Sequence, residues 1–214
     1  MSPSLISLLE RGRGASSSIE TWSCVAAAIS EQFVGFIELA PGATAPRDIE
    51  HLRRQSALIE LAARGGWAAL PELAIDPSTR RSRAIDVALV RQARGEAVAA
   101  EIWDWFDDVG AALRGLDAKV AMLERQLTSG RSFTPGTDRE WRVRGLFIVR
   151  GTRRNTGLVA ELRPLFAARF SGTPTAWLRV LTRPEVGLPA GDGFLWSDVT
   201  GNSLRAARFG TRPP

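Results

Sequence analysis

The sequence predicts an α/β domain, a mixed β-sheet flanked by helices, preceded by a small all-α segment. Three observations carry that expectation. From residue 47 onward, helical and extended patterns follow one another in the order α-β-β-β-α-β-α-β. The stretch "GLFIV" (145–149) is apolar throughout, as in a central strand covered on both faces. The run "PGATAP" (41–46) reads as a linker between this region and two short helical stretches before it. A mixed sheet of this kind is stable only when helices cover both of its faces.

Taken in order, "PSLISLLERGRG" (3–14) gives a short amphipathic helix stopped by glycines, and Ser17 and Glu20 have capping-box spacing for a second helix through "TWSCVAAAI". "QFVGFIELA" reads as a short extended or helical segment. Beyond the linker, "RDIEHLRRQSALIELAARGG" is a helix closed by Gly65 and Gly66. "WAALPELAI" is a first strand whose Pro71 suits an edge or a bulge. "DPSTRRSR" is a turn, "AIDVALV" a second strand, "RQARGE" a hairpin turn and "AVAAEIW" a third strand. "DDVGAALRGLDAKVAMLERQL" has helical periodicity at Val109, Leu113, Leu116, Val120 and Leu123. "REWRVRGLFIVRG" is a strand, "TRRNTGLVAELRPLFAARF" a helix interrupted at Pro164, "TAWLRVL" a strand and "GFLWSDV" a last one. This divides the chain into residues 1–40, the linker 41–46, the α/β domain 47–203 and a basic, disordered tail 204–214.

Composition removes several function classes. No apolar run reaches the roughly 18 residues of a membrane span, and no secretory leader opens the chain, so a cytoplasmic location is expected. Cys24 is the single cysteine and His51 the single histidine, which excludes a disulfide framework and a zinc site of the usual Cys/His kind. Ser-His-Asp chemistry would have to use His51, which stands among charged residues at a helix start. Charge is uneven: residues 1–128 carry 14 basic and 17 acidic side chains, residues 129–214 carry 14 and 6. The basic half suits phosphates through a salt-dependent attraction, or is an arginine-rich solvated surface. Lys119 is the only lysine among 28 basic residues.

The chemistry-bearing residues sit on the second and third strands. Asp86 lies near the start of one and Glu101 near the end of the other, so the hairpin brings both carboxylates to one edge. Two carboxylates at close range repel unless a cation lies between them. An oxygen-lined site with open water positions suits Mg²⁺, which activates water for attack on a phosphodiester. A neighbouring lysine orients that water or stabilises the developing charge. Glu60 and Glu72 are further candidate ligands, and Arg83 or Arg91 further sources of positive charge. Each of them also has a plain reading as a solvated charge. Asp104, Asp107 and Asp108 read as acids favoured at the start of the next helix, and Trp103 and Trp105 as packing residues or stacking platforms.

This succession, with "AIDVAL" and "AAEIW" in place, resembles the PD-(D/E)xK endonuclease-like superfamily. The resemblance covers roughly residues 47–200 and implies an endonuclease-like sheet. It also implies a site made of Asp86, Glu101 and a lysine two residues after the Glu, where this chain has Trp103. Lys119, in "LDAKVAML" on the following helix, is the candidate replacement, since a lysine moved to that helix is an accepted variation of the family. It could equally pair with acids of its own helix.

The opening "SLISLLERGRGASSSIETWSCVAAAI" resembles the latter part of an XRE-type (lambda-repressor/Cro-like) helix-turn-helix domain, with "SLLERG" (7–12) at the end of the recognition helix. That implies DNA contacts from Ser2, Ser4 and Ser7, with Arg11 and Arg13 near the backbone. It also implies that the first two helices, about 20–25 residues, would precede Met1, so the head is expected to be truncated. Bacterial regulators that join such a head to an endonuclease-like tail share the pattern "E-x-K … D-x-x … LD-x-K", which Asp108 and "LDAK" follow and Trp103 does not.

Three functions follow. The first is a DNA-associated, transcriptional-regulator-like protein whose nuclease-like domain is inactive. The second is a Mg²⁺-dependent DNA endonuclease using Asp86, Glu101 and Lys119. The third is a non-enzymatic protein-interaction domain. DNA is the expected partner, no membrane is, and a homodimer stays open.

Overall fold

A computed structural model of the 214-residue chain describes residues 3–11, 17–28, 49–74, 84–106, 108–129, 140–206 and 209. The chain divides into two compact units, Met1–Pro46 and Arg47–Pro214. In the first unit the described elements are two helices, α1 (Pro3–Glu10) and α2 (Ile19–Ala28). Readings for "QFVGFIELA", "PGATAP" and "DPSTRRSR" lie outside the described residues.

The second unit is a mixed α/β structure: a six-stranded sheet flanked by helices. Its elements are α3 (Ile49–Ala63), β1 (Ala68–Ala74), β2 (Ala84–Arg91), β3 (Glu96–Trp103), α4 (Val109–Thr128), β4 (Arg142–Arg150), α5 (Arg153–Glu161), α6 (Arg163–Arg169), α7 (Pro174–Thr182), β5 (Gly193–Ser197) and β6 (Leu204–Arg205). Strands lie side by side in chain order. β1, β2 and β3 pair antiparallel, β3, β4 and β5 pair parallel, and β6 returns antiparallel to β5.

Strand alternation assigns the two faces. One carries Val87, Leu89, Val98, Ala100, Ile102, Leu146 and Ile148 against Leu58 and Ala62 of α3 and Trp177, Val180 and Leu181 of α7. The other carries Ala88, Val90, Ala97 and Ala99 under Leu123 and Leu127 of α4, and Phe147, Val149, Phe194 and Trp196 under α4, α5 and α6. The β2–β3 connection is a short 3-10 turn closed by Gly95 at φ 63°, a left-handed position that glycine adopts without steric cost. Pro71 lies in β1, an edge strand, where a residue without an N–H is tolerated.

Two expectations need correction. "TAWLRVL" is helix α7 and not a strand: Thr173 caps it by accepting from the Ala176 N–H, Pro174 opens it, and Trp177, Val180 and Leu181 form a buried stripe of helical spacing. The strand after the α5–α7 region is therefore β5, from "GFLWSDV". The tail does not begin at 204, because Leu204 and Arg205 pair with Ser197 and Trp196. Among the described residues no helix is long and apolar enough to cross a membrane.

Gly193 and Gly115 test the packing from opposite sides. A Cβ on Gly193 would lie 2.4 Å from a ring carbon of fully buried Trp177, whereas one on Gly115, inside α4, meets nothing within 4 Å. Gly193→Ala is expected to lose about 1–3 kcal/mol through overpacking. Gly115→Ala is expected to gain about 0.5–1 kcal/mol through reduced backbone freedom. Urea denaturation of both variants reads the two signs.

Candidate functional site

Antiparallel pairing of β2 with β3 aligns Val87 with Ala100, which sets Asp86 and Glu101 side by side just past the last paired residues. Glu101 falls on the α4 face of the sheet by alternation, in line with Ala97 and Ala99, whereas alternation breaks at Asp86, since Ile85 shares a face with Ala88 and Val90, and Asp86 approaches His51 of α3. On α4, Lys119 follows the buried Leu116 by three residues and precedes the buried Leu123 by four. Its stem therefore runs along the covered stripe, and its ammonium donates to Glu101 Oε2 at 2.5 Å. The Lys119 and Glu101 side chains are only 12% and 6% exposed, so this pair is largely removed from solvent. Glu101 Oε1 is buried and has no hydrogen-bond donor among the described residues.

Burial, helped by repulsion from the neighbouring Asp86 and opposed by Lys119, pushes the Glu101 carboxyl up to about 7. Burial also raises Asp86. Its Oδ2 accepts the Ile102 N–H at 2.7 Å, which works against that rise, as do Lys119 and His51, while Glu72 adds to it.

Two further side chains reach the group from α3. His51 and Gln55 are four residues apart and share one face of that helix. His51 Nε2 lies 3.9 Å from Asp86 Oδ2. Gln55 Nε2 donates to Glu72 Oε1 at 2.5 Å and to the Asp86 carbonyl at 3.2 Å. Glu72 stands in β1 at φ 50°, a left-handed conformation that a residue with a Cβ rarely adopts. One ligand atom each from His51, Glu72 and Asp86 lie within 4.8 Å of one another.

The structure thus brings Asp86, Glu101 and Lys119 together, with Glu72 beside them. Glu60 is exposed on α3 and lies outside the group. Lys119 pairs with Glu101 and not with an acid of its own helix. Arg91 is at the far end of β2, where it donates to buried Glu96, and contributes nothing to the pair; Arg83 is outside the described residues. Trp103 occupies the same face two residues after Glu101 but stacks on Phe106 at 5.5 Å and contacts Phe147, inside an aromatic cluster. Trp105 is 52% exposed.

Asp108 caps α4 by accepting the Ala111 N–H, as a helix-opening acid should, and Asp107 lies outside the described residues. Asp104 does not belong with it. It accepts from Arg54 Nη1 at 2.5 Å, and Arg54 is fully buried and also donates to Ser197 Oγ. In the first unit Ser4 is exposed and Ser7 half-buried on α1, and Arg11 Nε donates to the Ser7 carbonyl; Ser2 and Arg13 lie outside the described residues.

Sequence reasoning missed Gln55 altogether and considered His51 only for serine-hydrolase chemistry and for a Cys/His zinc site, which it set aside. The one available signal was their spacing on the helix before β1. Asp86 and Glu101 offer carboxylate oxygens of the kind hard divalent cations prefer, and the orphaned Glu101 Oε1 is an acceptor suited to such an ion. Comparison with protein-family models, with curated proteins and with solved structures gives no match for this chain.

The raised Glu101 carboxyl makes stability depend on pH. A group whose folded pKa exceeds its unfolded value stabilises fully below the unfolded value, here 4.5, and loses that contribution as pH rises through about 7. Glu101→Gln removes the titration. Urea denaturation from pH 4.5 to 8 should therefore show the wild type losing stability relative to Glu101→Gln across that window. A parallel pair of curves would count against the raised value.

Proposed function

We propose that the α/β unit is a divalent-metal-dependent nuclease of the PD-(D/E)xK endonuclease-like type, acting on DNA. Asp86 and Glu101 hold Mg²⁺, and Lys119 supplies the ammonium that Trp103 cannot. The observation that carries this reading is the 2.5 Å approach of Lys119 Nζ to Glu101 Oε2, made from α4 instead of from β3. The order α3-β1-β2-β3-α4-β4, with the pair on β2 and β3, agrees with the resemblance seen in the sequence.

Bound at this pair, Mg²⁺ supplies a polarised phosphoryl oxygen and a more acidic water. The protein's own groups do the remainder. The Ile102 N–H fixes the Asp86 carboxylate, so its orientation is set before any ligand arrives. Lys119 pairs with Glu101 in the free protein, offsetting part of the negative charge, and offers positive charge where a phosphodiester gains negative charge during attack. Arg153 and Arg154 are exposed at the start of α5, directly after β4, whose C-terminal end neighbours that of β3. They can contact a nucleic-acid backbone without reading its sequence. The net positive charge of residues 129–214 and the likeness of the first helices to an XRE-type head both favour DNA over other phosphodiesters.

The non-cleaving regulator reading rests on Trp103 in the lysine's place. The position of Lys119 is what favours cleavage over it.

A plasmid-nicking assay with Mg²⁺ or Mn²⁺ is the test. Wild type is expected to nick, Asp86→Ala to abolish nicking, and Lys119→Met to slow it by about 10²–10³-fold. Trp103→Ala should leave the rate within a few-fold, since the ring packs away from the pair. Salt-sensitive DNA binding with no nicking in either metal would instead establish the non-cleaving regulator.

A further inference from the structure

The β1–β2 ladder contains a gap. Pro71 aligns with Val87 and Leu73 with Ile85, so Glu72 and Asp86 stand directly opposite each other without being paired. Like charges placed opposite on neighbouring strands repel, and β-ladders avoid them. Here the repulsion is kept. Glu72 holds a left-handed backbone, φ 50°, at this position, and Gln55 draws its carboxylate inward by donating to Oε1. The same Gln55 amide donates to the Asp86 carbonyl, so one side chain ties both acids to α3. One turn before Gln55, His51 turns Nε2 toward Asp86 Oδ2.

We propose that His51, Glu72 and Asp86 form a second cation site, which takes a first-row transition metal ion in preference to Mg²⁺. It is separate from the Asp86–Glu101 pair, shares only Asp86 with it, and goes beyond the nuclease reading, since it needs neither Glu101 nor Lys119. Three features argue for it. The donors come from three elements, α3, β1 and β2, and their atoms already lie within 4.8 Å of one another. A transition metal holds nitrogen and carboxylate oxygen at roughly 2.0–2.2 Å, which requires the donors to close by about 1 Å. Glu72 is exposed, so no packed neighbour blocks that movement of its side chain.

The second feature is fixed orientation. Asp86 is held by the Ile102 N–H and Glu72 by Gln55, while each carboxylate keeps lone pairs open. Outer hydrogen bonds of this kind are what set ligand direction in metal sites. The third is donor chemistry. An imidazole nitrogen raises affinity along the first-row series, whereas Mg²⁺ favours oxygen and sheds water reluctantly. The site is also reachable: the His51 side chain is 26% exposed and that of Asp86 18%.

Co²⁺ is the probe, because its visible absorption reports a nitrogen ligand, and the chelator-treated full-length chain is the sample. Every protein in the series carries Cys24→Ser, since the exposed Cys24 thiol is itself a metal ligand. The parent chain and Glu101→Gln are both expected to bind one Co²⁺ that a large excess of Mg²⁺ fails to displace. His51→Ala and Glu72→Gln should each weaken that binding at least tenfold and shift the absorption band. Both positions are solvent-accessible, and circular dichroism of each variant confirms that the fold is kept. Equal loss of binding in Glu101→Gln would overturn the proposal, because the ion would then belong to the Asp86–Glu101 pair. So would Co²⁺ binding unchanged in His51→Ala, or none in the parent chain. Nicking activity enters none of these readouts, so the nuclease reading and the second site stand or fall separately.

Discussion

A carboxylate buried at the end of a strand is the constraint on which the rest of this unit depends. Alternation along β3 sends Glu101 to the same face as Ala97 and Ala99, under α4, where little solvent remains to stabilise its charge. An apolar residue would be the cheaper occupant of that position. Glu101 is kept there with a lysine from the covering helix on one oxygen and, among the described residues, no donor on the other. Satisfying both oxygens or removing them would serve stability alone better, and the half-satisfied state is one reason for proposing a site here.

The helices that complete the site are held from a distance. Arg54, fully buried in α3, donates to Asp104 after β3, to Ser197 at the end of β5 and to the Val199 carbonyl. Arg150, at the end of β4, adds ion pairs to Glu50 and Asp104. These contacts fix where α3 lies along the sheet ends and how it is rotated. His51 and Gln55, on either side of Arg54 in sequence, inherit that rotation. A buried guanidinium with paired acids is costly to assemble and costlier to break, which makes it a rigid reference point for side chains that must meet a strand.

How far the sequence could be read follows from the range of each interaction. β2, β3 and β4 were legible because long apolar runs between turn residues leave few alternatives. The meeting of Asp86 with Glu101 was legible too, since a hairpin fixes register locally. α7 was not: Trp177, Val180 and Leu181 suit a strand by residue type, and the Thr173–Pro174 start signal was the information that should have decided it. Asp104 was misread because acids before a helix usually serve that helix, while its partner Arg54 is fifty residues away. The reach of Lys119 and the approach of His51 depend on how two helices are rotated against the sheet. No local pattern encodes either rotation.

The left-handed kink at Glu72 has a consequence for how the chain behaves among its own copies. β1 is the outer strand of the sheet, and an outer strand offers unpaired N–H and C=O groups to any extended segment that drifts past. Pro71 removes one of those donors, and the twisted backbone at Glu72 turns the next ones out of line with a straight neighbour. At the opposite border β6 is only two residues long, too short to template a ladder. The distortion that brings a carboxylate opposite Asp86 therefore also protects the sheet against edge-to-edge aggregation.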